Sequence, residues 1–226
     1  MVPDKDSTDN QRWSCGRARV ITVNQPPPFE RFLLWIDAVG GFLVCTGGDI
    51  MLGRAVPASH VGLPIVGDLS RRHARLRREG DRYLVIPAAP TRVAGRPIDG
   101  PTLLRDGDRL DLGPVVSLRF RQPHPLSATA RLEMLSYHRT EPAATAVLLM
   151  DQSCILGPGA HCHVVCRNWS RPLVLYRQQS QLRCRADEPL EIDGSPCGRQ
   201  GAVTLRSRVR GSDFCLNLEP VETACV

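Results

Sequence analysis

From Phe29 onward the chain is written in short apolar runs broken by turn residues: FLLWI, GGFLVC, GGDIMLGR, ARLRREGDRYLVI, TRVAGRPI, DGDRLDLG and VSLRFRQP. Several of these runs alternate with a period of two. Leu118 and Phe120 would face inward while Arg119 and Arg121 face water, and Ala74 and Leu76 alternate with Arg75 and Arg77. Short strands at this spacing predict a β-sandwich whose wet face carries the arginines.

The pattern changes at two places. Residues 1–28 are polar and end in QPPP, which continues neither a helix nor a central strand, so they are expected to form an N-terminal arm in which ARVITV could add an edge strand. PLSATARLEMLSYHRTEP is polar and bounded by prolines, which places a boundary near residue 128. The text after it repeats the text before it. A shift of 99 residues lays Val93-Ala94-Gly95 over Ile192-Asp193-Gly194 and Leu76 over Leu175, and a shift of 98 lays Gly113, Leu118 and Phe120 over Gly211, Leu216 and Leu218. Near the start the offset is 104, with Leu52-Gly53 over Leu156-Gly157, so the first copy carries a longer loop. A near-constant offset predicts a duplicated unit. The expected architecture is all-β: tandem sandwiches at 29–127 and 136–226 joined by a linker at 128–135.

Composition sharpens this picture without redirecting it. Aromatics make up only 5% of the 226 residues, while Gly and Pro number 19 each, which suits many turns and few helices. The start is neither basic nor apolar, and no stretch approaches the roughly 18 apolar residues that span a bilayer, so a cytoplasmic protein without a membrane partner is expected. Nine cysteines, an odd number, then predict reduced core thiols rather than a disulfide framework. Formal net charge is +6, and of 29 cationic side chains only Lys5 is a lysine. The excess lies in the first half, where residues 1–125 carry 18 cations against 13 anions. Such a balance suits an acidic or phosphorylated partner and equally a solvated arginine-rich face.

Four motifs occur in order within the first copy: LGR (Leu52 to Arg54), SRRHA (Ser70 to Ala74), TRVAG (Thr91 to Gly95) and LLRDGDRLDLG (Leu103 to Gly113). Together they resemble the forkhead-associated (FHA) domain, a sandwich of the SMAD/FHA-like class that recognises phosphothreonine peptides, over roughly residues 30 to 123. The resemblance implies that Arg54 is the primary phosphate ligand and Ser70 a hydroxyl donor, with Arg71 and Arg72 adding charge. It assigns Gly53, His73 and Gly95 to the framework, His73 as a tie between loops. These residue types fit the task, because a dianion calls for a planar, permanently charged fork and neutral donors beside it.

Two departures from the family pattern carry consequences. The family has a Ser or Thr followed by Asn-Gly-Thr, whose Asn holds the peptide backbone, where this chain reads Ala88-Ala89-Pro90-Thr91. Alanine supplies no side-chain donor, so weak binding is expected, with Thr91 as a minor peptide contact. In the second copy Pro158 stands at the arginine position and NWSRPL replaces DLSRRHA, which implies a sandwich that has lost its phosphate site.

Other chemistries are poorly served. CHVVC, with His161, Cys162, His163 and Cys166, has no common zinc spacing, and in a strand Cys162 and Cys166 would share a core face with Val164. GPGAHC lacks the end of a phosphate loop, GSPCG is not a nucleophile elbow, and Ser70 with His73 has no orienting acid, so neither catalysis nor a cofactor is expected. Arg71, Arg72, Arg75, Arg77, Arg78 and Arg82 could meet nucleic acid, but only Tyr83 is near to stack on a base. The reading that follows is a non-catalytic signalling adaptor whose partner is a phosphothreonine-bearing protein, a Ser/Thr kinase or its substrate. The alternatives are a phosphate-independent scaffold and an arginine-rich nucleic-acid binder.

Overall fold

A computed structural model of the chain describes residues 31–57, 61–124 and 126–221. The N-terminal arm, with ARVITV, lies outside the described residues. The first strands are β1 (Arg31–Ile36), β2 (Gly40–Cys45), β3 (Asp49–Arg54), β4 (Leu63–Val66), β5 (Ala74–Glu79) and β6 (Arg82–Pro87). They are followed by β7 (Thr91–Val93), β8 (Arg96–Ile98), β9 (Thr102–Leu104), β10 (Arg109–Leu112) and β11 (Val116–Arg121). A middle group holds β12 (Ala130–Met134), β13 (Arg139–Thr140) and β14 (Ala146–Leu149). The last third holds β15 (Ser153–Gly157), β16 (Val164–Val165), β17 (Leu173–Gln178), β18 (Gln181–Ala186) and β19 (Glu191–Ile192). It closes with β20 (Ser195–Pro196), β21 (Gln200–Val203), β22 (Arg208–Arg210) and β23 (Cys215–Pro220). The described residues hold no helix, and so none long and apolar enough to cross a membrane.

The predicted alternation holds where a strand has one wet face. Leu118, Phe120, Ala74 and Leu76 are buried, while the arginines between them reach solvent. Two smaller sheets stand beside the large one. One small sheet runs β4-β3-β5-β6-β9, extended by β13, and the other runs β16-β15-β17-β18-β21 in the corresponding order. The matched positions Ala94-Gly95 and Asp193-Gly194 both turn two-residue hairpins with φ of 48° and 79°, and of 53° and 81°. That conformation is the one required by the tight turn whose twist matches the flanking strands.

A single twelve-stranded sheet joins the halves, in the order β20-β19-β22-β23-β1-β2-β14-β12-β11-β10-β7-β8. Its centre differs from the expected arrangement. The N-terminal hairpin β1–β2 pairs with β23 at the far end of the chain (Leu34 opposite Leu218), and β11 is flanked instead by β12 and then β14. Residues 128–135, expected as a linker, thus contain a paired strand, and residues 31–45 lie in the sheet beside the second half. The two groups meet along the parallel pair β2–β14.

The packing gives the reason. Phe32, Leu34, Phe42, Val44 and Leu148 enter a core shared with β15 to β23, while Leu33, Leu43, Cys45, Val147 and Leu149 enter a core shared with β3 to β11. Alternate side chains point to opposite faces of a sheet, so β1, β2 and β14 separate the two cores and are apolar on both sides. That is why FLLWI, GGFLVC and AVLL read as unbroken apolar runs.

The described cysteines are all free thiols, and five of the seven are buried. Cys162 and Cys166 are both buried, but not as a strand row: only Val164–Val165 pairs with β15, and Cys162 sits in the turn before it, its N–H donating to Gly159 O (3.0 Å). Burial pushes the Cys45 and Cys166 thiols up to about 12, far from thiolate chemistry.

Candidate functional site

Strand β3 ends at Leu52-Gly53-Arg54, and the loop from β4 to β5 folds back over it. Residue 53 must be a glycine, because a Cβ there would lie 1.9 Å from Arg71 O and 2.7 Å from Arg71 C. This close approach lets the Arg54 N–H donate to Ser70 O (3.0 Å) and the His73 N–H donate to Leu52 O (2.8 Å). Two backbone hydrogen bonds and one side-chain-free contact therefore set Arg54 and Ser70 side by side.

His73 is 3% exposed and bonds to two loops. Its Nε2 lies 3.0 Å from Pro90 O, and the Ser70 N–H donates to its Nδ1 (3.4 Å), which places the proton on Nε2 as a donor to Pro90. Its carbonyl accepts from the N–H groups of both Ala88 and Ala89, at 2.9 and 3.0 Å. One residue thus joins the loop of Ser70 to the loop that precedes β7.

The charges around this corner are unevenly satisfied. Arg75 pairs with Asp49, Arg77 with Glu79, Arg78 with Asp151 and Arg82 with Asp81. Arg71 and Arg72 are exposed and have no ion-pair partner among the described residues. Arg54 is half-buried, and its Nε is buried without a hydrogen-bond partner among them. Of the arginine-rich stretch, the cations left unneutralised are those beside Arg54 and Ser70.

Thr91 is placed differently from expectation. It is 3% exposed and its hydroxyl donates to Ala89 O (2.8 Å), so it closes a turn instead of meeting a peptide. The physical reason is strand parity: on β7 Thr91 and Val93 point into the core and Arg92 points out. Gly95 sits at the far hairpin, a framework position. Ser70 and His73 also border a groove of roughly 850 Å³ with Arg92, Arg109, Asp111 and Ser117. There Arg109 Nε donates to Asp111 Oδ1 (2.7 Å) and the Ser117 hydroxyl donates to the same oxygen (2.5 Å). The sequence signal for this wall was the alternation of Arg109 and Asp111 along β10. A second contributor was not legible: β13 pairs along the edge of β4, and His138 lies against Gly67 at the start of the Ser70 loop.

Residues 50–113 match the family model of the FHA domain. Among solved structures, the FHA domain of Rv0020c is 26% identical, the match covering 37% of this chain and 84% of that one with a TM-score of 0.24. The N-terminal FHA domain from EssC, a component of the bacterial Type VII secretion apparatus, is 11% identical over 82% of this chain and 90% of that one, with a TM-score of 0.25. No curated protein matches the chain.

Proposed function

We propose, from the premise that residues 50–113 are an FHA domain, a module that is generally a non-catalytic phosphopeptide binder, that this chain is an adaptor recognising phosphothreonine on a partner protein through Arg54, Ser70, Arg71 and Arg72. The observation that carries the reading is the cluster of unneutralised arginines at the corner where Gly53 brings β3 under the Ser70 loop. A phosphate there would meet a guanidinium fork, the Ser70 hydroxyl and two further cations, while the remaining arginines of the stretch are already paired.

Binding is weak in this reading. The N–H groups of Ala88 and Ala89 are both spent on His73 O, and their methyl side chains donate nothing, so the peptide backbone finds no clamp on that loop. The second half supports a partner role without phosphate. Pro158 follows Leu156-Gly157, the Ser170 N–H is taken by the Asp213 carboxylate (2.6 Å), and Trp169 stacks on Phe214. A carboxylate at that corner repels a second anion.

The test is retention of a degenerate phosphothreonine peptide library by the wild type, Arg54→Ala and Ser70→Ala, beside the unphosphorylated library. Arg54→Ala is expected to lose about 2 kcal/mol or more of binding while keeping its fold, as when a guanidinium paired with a desolvated dianion is removed. Equal retention of both libraries by the wild type refutes phosphorecognition.

A further inference from the structure

Between the two halves lies a groove of roughly 870 Å³ that the FHA-matched residues do not line. One wall is the face of β11 and β12 turned away from the first core, and the other is the turn after β15, β16 and the residues that follow it. Arg121 and Arg131 stand directly opposite each other across β11–β12, and both line this groove. Like charges at opposed positions of an antiparallel pair destabilise it. The fold does not impose them, for the corresponding positions on β23 and β1 hold Glu219 opposite Leu33.

A third cation, Arg167, reaches the same groove from the second half. It is exposed and has no ion-pair or hydrogen-bond partner among the described residues. Arg131 is mostly buried; its Nη1 donates to His163 O (2.8 Å), its Nη2 meets Glu133, and its Nε is buried with no partner among the described residues. Arg121 uses Nε on Asp106 (3.0 Å), leaving its terminal nitrogens. Glu133 is the only carboxylate among the lining residues, and with Asp106 set against Arg121 one positive charge, that of Arg167, stands in surplus. Val39, Val165 and Pro158 add an apolar wall beside them.

The geometry points to a second oxyanion site in this groove, formed by Arg121, Arg131 and Arg167, for a phosphate monoester whose organic part rests on Val39, Val165 and Pro158. Arg167 offers its whole fork and Arg121 its terminal nitrogens from two parts of the chain, Arg131 adds its charge behind them, and the groove is far larger than phosphate alone requires. The site is independent of Arg54 and is contributed jointly by the two halves, so it exists only in the whole chain.

The experiment titrates the full chain with phenyl phosphate, inorganic phosphate and benzoate, reading backbone amide shifts, in the wild type, Arg167→Ala and Arg54→Ala. Arg167 has no partner to lose among the described residues, so its replacement leaves the fold intact. Saturable shifts from phenyl phosphate at Thr145, Ala160, Val165 and Arg167 are expected, weakened about tenfold or more by Arg167→Ala, unchanged by Arg54→Ala, and smaller with benzoate. Tighter binding of phenyl phosphate than of inorganic phosphate supports an ester as the ligand, and equal binding overturns the seating of an organic part on Val39, Val165 and Pro158. Shifts confined to Ser70–His73, or binding at the groove that Arg167→Ala leaves untouched, overturn the proposal.

Discussion

Replacing Gly53 with alanine tests how the candidate site is held in place. The new methyl would lie 1.9 Å from Arg71 O and 2.7 Å from Arg71 C, whereas ordinary contact begins near 3.4 Å, so the loop must retreat by about 1.5 Å. The obstacle is backbone, which cannot rotate away as a side chain would. The retreat stretches the hydrogen bond from Arg54 N–H to Ser70 O, now 3.0 Å. Overpacking of this kind costs about 1–3 kcal/mol and the lost hydrogen bond about 1 kcal/mol more, giving an expected destabilisation of about 2–4 kcal/mol. Gly80→Ala is the control, because a Cβ there meets nothing within 4 Å and only the backbone conformation, φ +63°, is strained. That variant should lose only about 1 kcal/mol. Urea unfolding of both variants reads the difference, and amide shifts at Arg54 and Ser70 report the loop. If Gly53→Ala unfolds at the same urea concentration as wild type, with those two amides unmoved, the close approach does not hold the corner.

Stability should also fall with acid through His163. It is fully buried, its Nδ1 accepts from the Ile155 N–H (2.9 Å), its Nε2 donates to Ser127 Oγ (3.1 Å), and burial first, then His124 and Arg131, lower its pKa to about 4. The folded state therefore binds fewer protons than the unfolded chain between about pH 4 and the ordinary value of 6.5, so stability is constant above that window and declines as pH falls through it, by up to about 3 kcal/mol. His163→Gln should flatten the urea midpoint between about pH 7 and about pH 5; an unchanged slope contradicts the assignment. The strand order makes a prediction about fragments: residues 46–150 keep β12 and β14 beside β11 and should melt cooperatively, whereas residues 29–127 lack both and should be less stable and prone to aggregate through the bare edge of β11. The reverse order of stability in thermal denaturation would contradict the pairing.

Local chemistry in the sequence determined the strands that have one wet face, because period-two alternation is a property of neighbours; Arg75, Arg77 and Arg119 announced their side of the sheet without help from the rest of the chain. Turn residues determined the two matched hairpins, and the ordered motifs determined which glycine, arginine, serine and histidine would meet. Even the burial of Thr91 was latent in the parity of TRV, although the family resemblance pointed the other way. Three things were decided by tertiary structure alone. Strands β1, β2 and β14 are apolar on both faces, so nothing in FLLWI, GGFLVC or AVLL says which core each residue enters or which strand lies beside it. The partner of Leu34 is Leu218, far along the chain, and the similar apolar alternation of β11 and β23 leaves both open as neighbours. Only the joint filling of two cores selects one pairing. The groove of Arg121, Arg131 and Arg167 follows from that choice, since it forms only where β12 lies beside β11 and the second half folds across it.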